Sequence, residues 1–108
     1  IKFIVYNYGE LVHEFNIATK VMHLKHQPEM MKMVENEILL VDRIDKKKMK
    51  ELSKKDHSMS HSHSNSVLLE PNQSAEIIWK FNTNTDLEVA CNVPGHYEAG
   101  MIAKIDNL

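Results

Sequence analysis

The sequence predicts a mainly β protein: a β-sandwich interrupted by one helical and low-complexity insertion. Three observations carry that expectation. Short runs rich in β-branched and aromatic residues alternate inward and outward with a period of two. Gly, Pro and Asn punctuate them at turn spacing. Only between about residues 22 and 66 does the pattern shift to a helical period and then to a repetitive polar tract. The 108 residues form one expected domain, 1–108, large enough for a modest core.

The first strand is read over Ile1–Tyr8, with Gly9 opening the turn that follows. His13 to Ile17 alternates, placing His13, Phe15 and Ile17 on one face. From Gln27 to about Val41 the spacing of Met30, Val34, Ile38 and Val41 predicts a helix, with Pro28 in its first turn. The lysine run from Lys46 to Lys55 reads as a solvated face. Val67–Leu69, Ala75–Phe81, Leu87–Cys91 and Met101–Ile105 complete the strands, with Ile77, Trp79 and Phe81 sharing one side.

A net charge of −2 gives no reason to expect nucleic acid as a partner. No apolar run approaches the roughly 20 residues of a membrane helix. The single cysteine excludes an intramolecular disulfide. Seven histidines and seven methionines stand out in so short a chain.

They are not scattered evenly. Cys91, His96 and Met101 follow one another at five-residue intervals across Cys91-Asn92-Val93-Pro94-Gly95-His96 and Gly100-Met101. A thiolate, an imidazole and a weak thioether from one loop, joined by a second imidazole from another strand, make a trigonal copper site with a long axial methionine. His13 is the expected second imidazole. Pro94 and Gly95 turn the loop sharply, and Pro94, lacking an N–H, removes one hydrogen bond that could reach the sulfur. Zinc would also take thiolate and imidazole, but a thioether suits soft Cu(I) better.

A second population lies in the insertion. His57, Met59, His61 and His63 are all odd-numbered, so an extended chain projects them together as a possible secondary copper site. The bland alternative is a polar loop with incidental metal affinity. Met22, His23, His26, Met30, Met31 and Met33 cluster upstream; Met30 falls on the apolar stripe, while Met31 and Met33 are expected to be freer.

The segment from Cys91 to Met101, with Gly9-Glu10-Leu11-Val12-His13-Glu14-Phe15, resembles the ligand segments of the cupredoxins, the type 1 blue-copper proteins. It looks plastocyanin- and azurin-like, and its loop spacing is similar to that of rusticyanin and auracyanin. The resemblance covers the two ends of the chain. It implies a cupredoxin-like Greek-key β-sandwich, here without the first family strands, with His13, Cys91, His96 and Met101 around one copper ion. Glu14, Asn92 and Pro94 would stand directly behind these ligands, Glu14 where many members have Asn or Ser.

The function so implied is one-electron transfer by Cu(II)/Cu(I) cycling, with a redox partner protein. The alternative is a periplasmic scavenging or resistance protein whose copper is cargo, bound also by the His/Met-rich segments. No enzymatic turnover is expected, because Ala90 and Asn92 flank Cys91 where the multicopper oxidases carry histidines. A periplasmic or otherwise exported location follows from the resemblance, with the leader not part of this chain. Oligomer formation or strand exchange is expected from the missing family strands.

Overall fold

A computed structural model describes residues 1–56, 65–80 and 86–105. Its strands are β1 (Lys2–Tyr6), β2 (His13–Ala18), β3 (Ser66–Leu69), β4 (Ser74–Ile78), β5 (Leu87–Ala90) and β6 (Ile102–Ile105). Two helices, α1 (Lys20–Glu35) and α2 (Lys46–Ser53), lie between β2 and β3. Every strand pairing is antiparallel. One sheet has the order β3-β2-β5-β6, the other pairs β1 with β4.

The two sheets share a core. Ile17, Ile77 and Leu87 are buried there, with Phe3, Phe15, Val67, Trp79, Val89 and Ile105 packed around them. These residues come from all six strands, so the expectation of a mainly β protein holds, and the arrangement is compatible with a sandwich. Phe81 falls outside the described residues, and β4 ends at Ile78. β6 is an exposed edge: Met101, Ile102, Ala103 and Lys104 all face water, and only Ile105 reaches the core.

The opposite face of the four-stranded sheet is covered by α1. This helix starts earlier than its apolar period suggested. Thr19 caps it, its side chain accepting from the Met22 N–H at 3.2 Å, and Pro28 sits inside it rather than at its start. It also ends earlier. Glu37 takes φ 57°, and the Ile38 N–H turns back to the Met33 carbonyl at 2.9 Å. Ile38 is therefore buried but off the helix, while Val41 is 74% exposed. Val34 also faces water, so of the expected stripe only Met30 is a buried helical position.

The lysine run is a helix as well. Asp45 caps α2 by accepting from the Lys48 N–H at 3.0 Å. Met49 and Leu52, one turn apart, pack against a second core of Val12, Met30, Met33, Ile38 and Leu39. Met33, expected at the surface, lies in that core; Met31 is exposed. Among the described residues no helix is long and apolar enough to cross a membrane.

Strand β2 is thus buried on both sides. Phe15 and Ile17 belong to the sheet-to-sheet core, and His13, two residues before Phe15 on the same strand, is partly buried against His96 and Cys91. Glu14, Asn16 and Ala18 are buried towards α1, where the alternation alone implied solvent.

Candidate metal centre

The centre is built at one end of the sandwich. His13 opens β2, and Cys91 follows directly on β5, its antiparallel neighbour through Asn16 and Ala90. A loop leads from Cys91 back to β6. Its neck is closed by the Cys91 N–H donating to the Met101 carbonyl at 3.0 Å, and the Met101 N–H donates to the His96 carbonyl at 3.1 Å. Gly95 and Gly100 take φ of 88° and 104°, values an L side chain resists, and so let the loop reverse twice within six residues. Gly9 has no positive φ. It supplies room instead: a Cβ there would stand 3.2 Å from Asn7 Oδ1 and 3.4 Å from the His13 ring.

Among the described residues, one group of histidine, cysteine and carboxylate side chains could hold a metal ion: His13, Cys91 and His96. His13 Nδ1 and His96 Nδ1 are 3.2 Å apart. The sulfur lies 3.3 Å from His96 Nδ1 and 3.9 Å from His13 Nδ1. A point about 2 Å from all three atoms lies inside that triangle, matching metal–nitrogen and metal–sulfur bonds of about 2.0–2.3 Å. The donor set fits a soft or borderline transition metal.

Cys91 is buried and unbridged. Burial pushes its thiol above the ordinary value, against the N–H groups of Glu14 and Val93, which favour the thiolate. Burial lowers the His13 value, and the His96 ring lowers it further. An ion entering here meets an imidazole already inclined to be neutral and a thiol that must give up its proton.

Met101 is the fourth expected ligand. It is tied to Cys91 and His96 through its backbone, and its side chain is partly open to water. His57, Met59, His61 and His63 lie outside the described residues.

Behind the triangle stand residues that apolar periodicity misses. The Glu14 N–H donates to the Cys91 sulfur at 3.2 Å. The Glu14 carboxylate accepts from Asn16 Nδ2 at 3.3 Å and Asn92 Nδ2 at 3.1 Å, and meets His26 Nε2 at 2.9 Å. His26 Nδ1 faces Glu29 at 3.1 Å. Burial alone would lower the His26 value, but the two carboxylates outweigh it and raise it. His23, fully buried, faces the Glu88 carbonyl through Nε2 at 3.0 Å and Asn92 Nδ2 through Nδ1 at 2.9 Å. The helical spacing of His23, His26, Met30 and Met33 behind the Thr19 cap is the signal that could have found this face.

Curated relatives cover nearly the whole chain. It is 41% identical to a copper-resistant cuproprotein CopI from Pseudomonas aeruginosa over 97% of its own length and 61% of that protein. Proteins of the same name from Vibrio cholerae and Rubrivivax gelatinosus are 32% and 29% identical, over 98% and 97% of the chain and 49% and 50% of their own lengths. The chain therefore spans about half to three-fifths of the relatives it matches. No family profile matches the chain, and no solved structure matches it. These findings correct the expected place among plastocyanin- and azurin-like cupredoxins. That resemblance rested on two short ligand segments, whereas the likeness to the copper-resistance proteins runs through 97% of the chain or more, the helical segment included.

Proposed function

We propose that this chain binds copper as cargo in copper resistance, holding the ion between Cys91 Sγ and the Nδ1 atoms of His13 and His96. The triangle of these atoms, 3.2, 3.3 and 3.9 Å on its sides, carries the proposal. Thiolate and imidazole suit both copper oxidation states, and the relatives' name supplies the metal. The same name favours cargo over a dedicated one-electron carrier, for which only the loop spacing speaks. Met101, held at the loop neck, is the proposed weak fourth ligand. His57, Met59, His61 and His63 are proposed to hold further, labile copper, and the place of work is the periplasm or another exported compartment.

The test is a copper count joined to a survival assay. Cu(I) titrated against a competing chelator should show one tight ion, absent in Cys91→Ser, and weaker ions lost when residues 57–63 are deleted. The full-length protein carrying Cys91→Ser should fail to protect a copper-sensitive strain that the unaltered protein rescues. Equal Cu(I) binding by Cys91→Ser would sink the proposed site. Equal protection would sink the role.

A further inference from the structure

The Cys91 sulfur is held from behind by polar contacts that end on α1. The carboxylate that anchors them, Glu14, has no side-chain exposure. A buried carboxylate is costly unless its partners are well placed, and apolar residues of similar volume would fill a core with less penalty. Here the costly group sits beside both ligand strands. Glu14 follows His13, and Asn92, which donates to its Oε1, follows Cys91. The second Asn92 amide proton points to His23 of α1, and His26 of the same helix meets the other carboxylate oxygen. Glu29, nearly half exposed, closes the line at the surface on the far side of His26.

We propose that α1 is the rear support of the metal centre, with His26 and Asn92 as positioning residues. By fixing the Glu14 carboxylate between them, they hold the Glu14 backbone N–H on the Cys91 sulfur. That N–H stabilises sulfur lone-pair density and so raises the energy of a thiolate-to-metal charge-transfer band. Neither residue touches the ion. The inference rests on Cys91 being a ligand, but its first readout needs no metal.

In the metal-free protein, hydrogen exchange at the Glu14 amide reads the contact itself. His26→Leu should speed that exchange about tenfold relative to the amides pairing β5 with β6. His26→Gln, whose side-chain amide can still donate to Glu14, should restore most of the protection. In the protein loaded with Cu(II), the charge-transfer band should move to longer wavelength in His26→Leu and return in His26→Gln. A purely structural role would lower Tm and leave the band of the folded fraction in place.

Should His26→Leu fail to fold, Glu29→Ala removes only the outer partner and should shift both readouts the same way by less. Unchanged Glu14 exchange and an unmoved band in the folded variants would overturn the inference. Failure of the copper reading looks different: Cys91→Ser would bind Cu(I) like the unaltered chain, while Glu14 exchange would still answer to His26→Leu.

Discussion

Two pairs of histidines flank strand β2, and they are wired in opposite ways. His13 and His96 turn their Nδ1 atoms towards each other and towards one sulfur. His23 and His26, on the other side of the strand, each have both ring nitrogens committed to acceptors or donors of the fold. With Cys91, the first pair converges donor atoms on one point about 2 Å from each, which is what a metal ion needs. The second pair completes the hydrogen bonding of a buried carboxylate and a buried amide, which is what a core needs. Residue type alone does not separate the two roles. What each ring nitrogen faces does.

The largest test of that division is metal affinity. Cys91→Ser should cost more in Cu(I) affinity than the roughly 10- to 100-fold that an outer supporting contact costs, and His26→Leu should stay within that range. Chelator competition measures both.

Stability of the metal-free chain should reverse the ranking. His26→Leu removes the 2.9 Å contact from His26 Nε2 to the buried Glu14 carboxylate and should cost about 3 kcal/mol in urea denaturation. His13→Leu should change it by no more than about 1 kcal/mol. If both cost the same, the contrast between the pairs fails.

The pH dependence separates the pairs again. The raised His26 value means the fold favours the charged ring. Its stabilisation is fully present below the ordinary imidazole value of 6.5 and is lost as pH rises through the raised value. The lowered His13 value has the opposite sign: its contribution is present above 6.5 and is lost as pH falls through the lowered value. Denaturation midpoints from pH 5 to 8.5 should therefore lose their alkaline decline in His26→Gln and soften their acid decline in His13→Gln.

The smallest effect belongs to Met101. Met101→Leu should weaken Cu(I) binding less than about tenfold, as befits a weak axial thioether, and leave metal-free stability within about 0.5 kcal/mol.

Much of the centre was legible because its chemistry is concentrated. Cys91 and His96 lie five residues apart in one loop, and alternation from His13 through Ile17 placed the second imidazole on the core side. The helix that supports it from behind was not legible, for a physical reason. The buried face of α1 carries His23 and half-buried His26 and Gln27 ahead of Met30 and Met33, so it reads as polar. The apolar Val21, Met22 and Leu24 point to water. Apolar periodicity therefore missed the first half of the helix and ran past its end at Glu35 to Val41. Glu14 and Asn92 are expected behind the ligands only through the resemblance; alternation alone gives no reason to bury a carboxylate until its partners Asn16, Asn92 and His26 are known. In α2, two apolar residues among lysines were too few to announce a helix, though the Asp45 cap and the Met49–Leu52 spacing mark one.

Thr19 is the single residue between the end of β2 and the start of α1. With so short a joint, the strand that begins at His13 and the helix that carries His23 and His26 form one lever. Fraying of the first helical turn must pull on the strand, and any shift of His13 must be felt along α1. The opening rate of that turn then sets an upper limit on how independently one imidazole of the triangle can move. Release of an ion by swinging His13 away would show up as slow, correlated opening of β2 and α1 rather than as fast local motion.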